Sequence, residues 1–134
     1  MGAWGCGVFE NDTACDFAAA VADGGGFPLV DRALSRVLAR GADYLEALEA
    51  EEGLAAAEIV ARMNDGGGSR TSYTETVDAW IAASRVVVPP KRRELAKRAV
   101  ARVLCDPSEI VELWTESEQA DRWRRSVETL LARL

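Results

Sequence analysis

The sequence predicts an all-α fold, a compact single-domain bundle of about six to seven short helices with an ordered N-terminal segment rich in glycine and aromatic residues. From about residue 12 onward, apolar side chains recur three and four positions apart, which is the spacing of one face of an α-helix. Strand-like alternation is nearly absent, and only residues 86–88 form a β-branched run. With 49% hydrophobic and 28% charged residues, the 134-residue chain has the composition of one globular domain spanning residues 1–134.

Two short amphipathic helices are expected first. The first runs from residue 12 to about residue 22, with Asn11 or Asp12 as its N-cap, and ends at the glycines 24–26. The second begins at Pro28, because proline suits the first position of a helix. The side chains expected in the core are Ala14, Phe17, Ala18 and Val21, and then Val30, Ala33, Leu34, Val37 and Leu38.

A longer helix is expected from residue 43 to about residue 63, and Gly53 is a place where it could kink. Its most apolar side consists of Ala56, Ile59, Val60 and Met63. The glycine-rich residues 64–72 that follow are expected to form a flexible surface loop.

Four helices are expected in the C-terminal half. Ser72 and Glu75 have the spacing of a capping box at the start of the first, which the prolines 89–90 end. The next begins at Lys91, and Ser108 caps the one after it. The side chains expected in the core are Val77, Trp80 and Ile81, then Leu95, Ala99, Val100 and Val103, then Ile110, Val111 and Trp114, and finally Ala120, Trp123, Val127, Leu130 and Leu134.

Composition narrows the classes of function. The net charge of −6 repels phosphate backbones and anionic lipids, so we expect neither nucleic acid nor a membrane as partner. The absence of histidine removes the commonest transition-metal ligand and proton-transfer group, and we expect no cofactor. Cys6, Cys15 and Cys105 are widely spaced, which predicts reduced and mostly buried thiols, with Cys105 in the core. No leader-like or membrane-spanning run is recognisable, which predicts a cytoplasmic location.

The segment before the first helix is the least ordinary, because three glycines alternate with large apolar side chains. We expect Trp4 and Phe9 to pack among the helices while the glycines let the backbone approach closely. A phosphate cradle is less favoured, since no strand precedes the segment and Asp12 and Asp16 would repel a phosphate. These two aspartates and Glu10 could bind a hard cation, but their spacing matches no calcium loop, so no metal site is expected.

Glu58 lies in an alanine-rich run, where a carboxylate of raised pKa could act as an acid or base. Helical geometry places it away from the most apolar side of its helix and one turn before Arg62, which favours an exposed ion pair. If Glu58 is buried instead, an arginine or backbone amides must contact it, because a lone buried carboxylate is too costly.

Charge is unevenly distributed along the chain. An acidic segment contains Glu46, Glu49, Glu51 and Glu52, and a basic helix face contains Lys91, Arg92, Lys97, Arg98 and Arg102. Each is either a solvated helix face or a binding surface. The basic face would bind an acidic partner, and the acidic segment would bind a basic partner such as a toxin or a nuclease. The basic cluster lacks the interleaved aromatic residues of single-stranded nucleic-acid binders.

Three parts of the sequence resemble a bacterial family of domains of unknown function, number 4259. They are the opening MGAWGCGVFEND (residues 1–12), the run LAAAEIVA (residues 54–61), and Ser108, Glu109, Leu113, Trp114 and Trp123. The resemblance covers nearly the whole chain and implies a bacterial source and a single domain. It implies no activity.

Two functions are consistent with these features. The favoured one is a non-enzymatic protein-interaction module, for example of immunity or antitoxin type, because the chain is small and acidic and has no catalytic constellation. The alternative is a small-molecule-binding protein or an unusual enzyme, with a pocket between Trp4, the acidic start of the first helix and Trp114. A concave pocket with converging polar groups would favour the alternative.

Overall fold

The computed structural model of the protein describes residues 3–134, and in this range it contains seven α-helices. They are α1 (Asp12–Ala20), α2 (Gly26–Ala39), α3 (Ala47–Asp65), α4 (Glu75–Ser84), α5 (Pro90–Val103), α6 (Glu109–Thr115) and α7 (Ala120–Arg133). The prediction of an all-α bundle is confirmed. The β-branched residues 86–88 belong to the connection between α4 and α5.

Helix α3 lies at the centre of the fold. Residues 53–62 are all buried, so neighbours surround this part of the helix on every side. Helices α1, α2 and α5 pack against it, and its run of small alanine side chains lets them come close. Helix α3 continues through Gly53, where an added Cβ would stand 2.5 Å from Val37 Cγ2. The glycine therefore provides room for α2 rather than ending or dividing α3.

The junction of α1 and α2 follows the predicted break at the glycines. Helix α1 ends at Ala20, and a wider helical turn, Val21–Gly25, connects it to α2. The backbone leaves helical geometry at Asp23 and Gly24. Gly24 has a φ of 111°, a conformation that residues with a side chain rarely adopt. Every predicted core residue of α1 and α2 is buried except Leu38, which is partly buried.

One predicted helix cap is wrong, and a second stands at its predicted position without making a capping hydrogen bond through its side chain. Thr74, not Ser72, precedes α4, and its hydroxyl donates to the Thr71 carbonyl at 3.2 Å, so the predicted capping box does not form. Ser108 does stand at the N-cap of α6, but its buried hydroxyl donates to the Val103 carbonyl at 2.8 Å. In both cases the hydroxyl bonds a preceding carbonyl, an alternative that serine and threonine side chains always have.

The C-terminal helices pair through two stacked indoles. Trp114 of α6 and Trp123 of α7 lie with ring centroids 5.9 Å apart and planes inclined by 7°, and both side chains are buried. Val127, Leu130 and Leu134 continue the buried stripe of α7 as predicted, whereas Ala120 is only partly buried.

Arg102 forms hydrogen bonds to two of the segments that connect the helices. From α5, its guanidinium donates to the carbonyls of Gly41 and Asp43 between α2 and α3, at 2.9 and 2.7 Å. It also donates to the carbonyls of Cys105 and Pro107 between α5 and α6, at 2.8 and 3.0 Å. This residue of the predicted basic face therefore has a structural role.

We expect Arg102→Met to lower the free energy of unfolding by about 2 kcal/mol, because four carbonyls lose a charged donor. Urea denaturation followed by circular dichroism measures the change. Arg98→Met on the same helix is the control, and its exposed side chain should change the free energy by less than about 0.5 kcal/mol. Equal losses in the two variants would contradict the role of Arg102.

The three cysteines are free thiols and differ in exposure. Cys6 is buried and donates to Gln119 Oε1 at 3.0 Å, and Cys15 is partly buried. Cys105 is exposed, so its predicted place in the core is wrong, because α5 ends at Val103 and Cys105 lies in the turn that follows. None of the helices in residues 3–134 is both long enough and apolar enough to cross a bilayer.

Candidate functional site

A cleft of about 470 Å³ opens between four segments of the chain. Residues 7–10 of the N-terminal segment form one wall, and residues 68–74 before α4 form another. Glu58 and Arg62 of α3 lie at its floor, and the last two turns of α7 close the remaining side. The cleft therefore brings together parts of the chain that are far apart in sequence.

Glu58 is the central charge of the cleft floor. Only 6% of the residue is exposed, and its carboxylate accepts hydrogen bonds from two arginines. Arg62 Nε donates to Oε2 at 2.9 Å, and Arg133 Nη1 donates to Oε1 and Oε2 at 2.8 and 2.9 Å. These contacts give both oxygens of the buried carboxylate hydrogen-bond partners.

The prediction that Glu58 is exposed is wrong. Helical geometry correctly placed it away from Ile59 and Val60, but that side of α3 is covered by the N-terminal segment and α7 rather than by water. A buried Glu58 was expected to need an arginine or backbone amides in contact with it, and two arginines do contact the carboxylate.

Arg62 connects the floor to three other segments. Its Nη1 donates to Asp78 Oδ1 of α4 at 2.8 Å, and its Nη2 donates to the carbonyl of Ser69. Its guanidinium carbon lies 5.3 Å from the centre of the Phe9 ring. A single buried arginine thus fixes α4, the loop before it and the N-terminal segment relative to α3.

Arg133 makes the corresponding link from α7. Besides Glu58, it contacts Asp65 at the end of α3, with Nε and Oδ2 separated by 2.9 Å. The hydrogen bond from Arg133 is the main reason that the pKa of Asp65 lies below its ordinary value, and the Gly67 amide adds to the effect. Arg133, Asp78 and Tyr73 were not identified from the sequence, because nothing in the local pattern marks a partner so distant along the chain.

Glu10 lines the cleft and is held by the glycine-rich segment. Its Oε1 accepts the amide hydrogen of Gly7 at 3.0 Å, and its carbonyl accepts the amide hydrogen of Trp4 at 3.0 Å. An added Cβ would collide with this carboxylate at Gly5 and would lie 2.5 Å from Oε1 at Gly7. The two glycines therefore leave room for the Glu10 carboxylate in its observed position.

Trp4 and Tyr73 form an aromatic pair beside the cleft. Their ring centroids are 5.2 Å apart, and Tyr73 itself lines the cleft. The prediction that Phe9 is buried is confirmed, with 5% exposed. The same prediction for Trp4 is wrong, since 46% of Trp4 is exposed and it packs on Tyr73 at the surface.

The other predicted site residues lie outside the cleft. Asn11 is buried as the N-cap of α1, where its Oδ1 accepts the Ala14 amide hydrogen at 2.8 Å. Asp12 and Asp16 are exposed on α1. Two cavities lie beside Trp114. The one between the N-terminal segment and Trp114, where the pocket was predicted, has a volume of about 20 Å³, too small for an organic ligand. The other lies between α6 and α7 and has a volume of about 220 Å³. The larger cleft lies elsewhere, although residues 7–10 of the N-terminal segment line it.

Two residues of the predicted basic face, Arg92 and Arg102, make contacts within the protein. Arg92 pairs with Asp31 at 2.8 Å and lies over the Phe27 ring at 4.6 Å, and Arg102 bonds the carbonyls described above. Within the described part of the chain, Lys91, Lys97 and Arg98 make no salt bridge. Among residues 3–134, no group of three or more Cys, Asp or Glu side chains is arranged to hold a metal ion.

Comparison with known protein families gives one match. A family model described as a domain of unknown function, DUF4259, matches residues 2–126 of the 134-residue chain. The chain belongs to this family. Residues 7–10, 58–62 and 68–74 of the cleft are within the matched range, whereas Thr129, Leu130 and Arg133 of its α7 wall lie beyond it. No curated protein and no solved structure matches the chain significantly.

Proposed function

We propose that this protein binds a small molecule in the cleft between residues 7–10, α3, residues 68–74 and α7. The observation that carries the proposal is the cleft itself, whose volume of about 470 Å³ falls in the range of ligand sites. The charged groups of its floor are held by salt bridges, and an exposed aromatic pair lies beside it. Ligand sites commonly place a few such polar groups among apolar and aromatic side chains.

The experiment is a ligand-observed NMR screen of small-metabolite mixtures against the intact chain. We expect at least one ligand to bind, and Thr129→Trp, which fills the cleft from α7, to weaken its binding about tenfold or more. Ala132→Trp is the matched control, because Ala132 is exposed on the same helix and lies outside the cleft. Ligands that bind equally to both variants, or no ligand at all, would count against the proposal.

A protein-interaction module of immunity or antitoxin type is the second candidate. The exposed apolar side chains outside the cleft at which a partner could dock include Val87, which is 89% exposed, and Leu48, which is 58% exposed. Recovery of a stoichiometric protein partner with the wild-type chain, and its loss on Val87→Ser or Leu48→Ser, would support this function instead.

We propose that the protein functions in the bacterial cytoplasm. The resemblance of residues 1–12 to a bacterial family supports a bacterial source. The free thiols of Cys6, Cys15 and Cys105 suit a reducing compartment.

A further inference from the structure

The charged side chains of the cleft floor belong to a larger salt-bridge network. Three carboxylates face three guanidinium groups within salt-bridge distance, and the pairs are Glu58 with Arg62 and Arg133, Asp78 with Arg62 and Arg70, and Asp65 with Arg133. The six side chains of the network carry no net charge together, and Glu58, Arg62 and Arg133 are the ones that line the cleft. Each of the two arginines that line the cleft is therefore already paired with two carboxylates.

Glu10 is the charged side chain of the cleft that stands apart from this network. One of its oxygens accepts the Gly7 amide hydrogen, and no cation within residues 3–134 forms a salt bridge with it. The hydrogen bond from the Gly7 amide orients the carboxylate in the free protein, and the missing side chains at Gly5 and Gly7 leave room for it, which reduces the ordering that binding requires. A fixed carboxylate at the edge of a partly dehydrated cleft attracts positive charge.

Aromatic rings supply a second attraction for cations. Tyr73 lines the cleft, is 52% exposed and rests against Trp4. The Phe9 ring already carries the guanidinium of Arg62, whereas Tyr73 and Trp4 are 52% and 46% exposed. Ammonium groups bind favourably over the faces of tyrosine and tryptophan.

From this arrangement we propose that the cleft binds an organic cation, a primary ammonium on an apolar or aromatic body, with Glu10 as its counter-charge and Tyr73 as the wall against which the body packs. This inference rests on the proposed function and narrows its ligand class. The ammonium donates to Glu10 Oε2, which no hydrogen bond in the described residues engages. A neutral or anionic ligand of the same shape lacks this contact.

Three probes of matched size test the charge selectivity directly: benzylammonium, benzyl alcohol and benzoate, titrated into the isotope-labelled full chain at low salt and followed by amide shifts. We expect benzylammonium to shift the signals of Gly7, Glu10 and Tyr73 and to bind about tenfold more tightly than either other probe. Glu10→Gln keeps an oxygen for the Gly7 amide and removes the charge, so it should weaken benzylammonium about tenfold. Asp16→Asn removes the same charge outside the cleft and should weaken it less than about twofold.

Equal binding of benzyl alcohol or benzoate to the wild-type chain, or no cleft shifts with benzylammonium, would overturn the inference. So would unchanged benzylammonium affinity in Glu10→Gln. The wild-type comparison decides the matter even if that variant does not fold. If the metabolite screen finds neutral or anionic ligands that Thr129→Trp excludes, the proposed function stands and only the cationic class fails.

Discussion

Glu58→Ala is expected to lower the free energy of unfolding by about 3 to 5 kcal/mol, because it leaves two arginines without their shared buried carboxylate. Arg62 is 5% exposed and keeps Asp78 and the Ser69 carbonyl, but its Nε loses its acceptor. Urea denaturation at neutral pH measures the effect. Glu128→Ala, an exposed carboxylate on α7, is the control and should change the free energy by less than about 0.5 kcal/mol.

A double-mutant cycle isolates the ion pair from the loss of packing. Combining Glu58→Ala with Arg133→Ala should cost less than the sum of the two single changes, with a coupling free energy of about 1 to 3 kcal/mol. Additive effects would mean that the pair contributes through packing alone, and the central place of Glu58 in the floor would then be wrong.

Trp114→Ala or Trp123→Ala should each cost about 3 to 5 kcal/mol, since either change removes half of a buried stacked pair and leaves a large cavity. Calorimetric melting and urea denaturation both report the loss. Trp4→Ala provides the comparison, because the same side chain is half exposed there and its removal should cost about 1 kcal/mol. A loss at Trp4 as large as at Trp114 would contradict the burial of the indole pair.

Much of the helical fold could be predicted, because regular spacing of apolar residues reports which face of a helix is covered. The stripe through Trp123, Val127 and Leu130 is buried as that spacing requires. The same rule failed for Glu58, since it assumes that each helix keeps one side in water. Residues 53–62 of α3 have no such side.

The cleft itself could not be located from the sequence. The glycine-rich opening segment marked residues 7–10 as unusual. The opposite wall of the cleft, however, depends on the positions of α7 and residues 68–74 in the fold. Those contacts join residues that are distant along the chain and leave no periodic signal. The exposure of Trp4 could not be predicted from the sequence either, because indole is amphipathic and is found both in cores and at surfaces.

The salt bridge between Glu58 and Arg133 spans 75 positions, and this separation bears on how the protein is made. A ribosome adds about 5 to 20 residues per second, so α3 is synthesised several seconds before Arg133. During this interval Arg62, four residues further along the same helix, is the partner of Glu58 that has already been made. The second hydrogen-bond partner of this buried carboxylate is supplied only when the last turn of α7 has been translated.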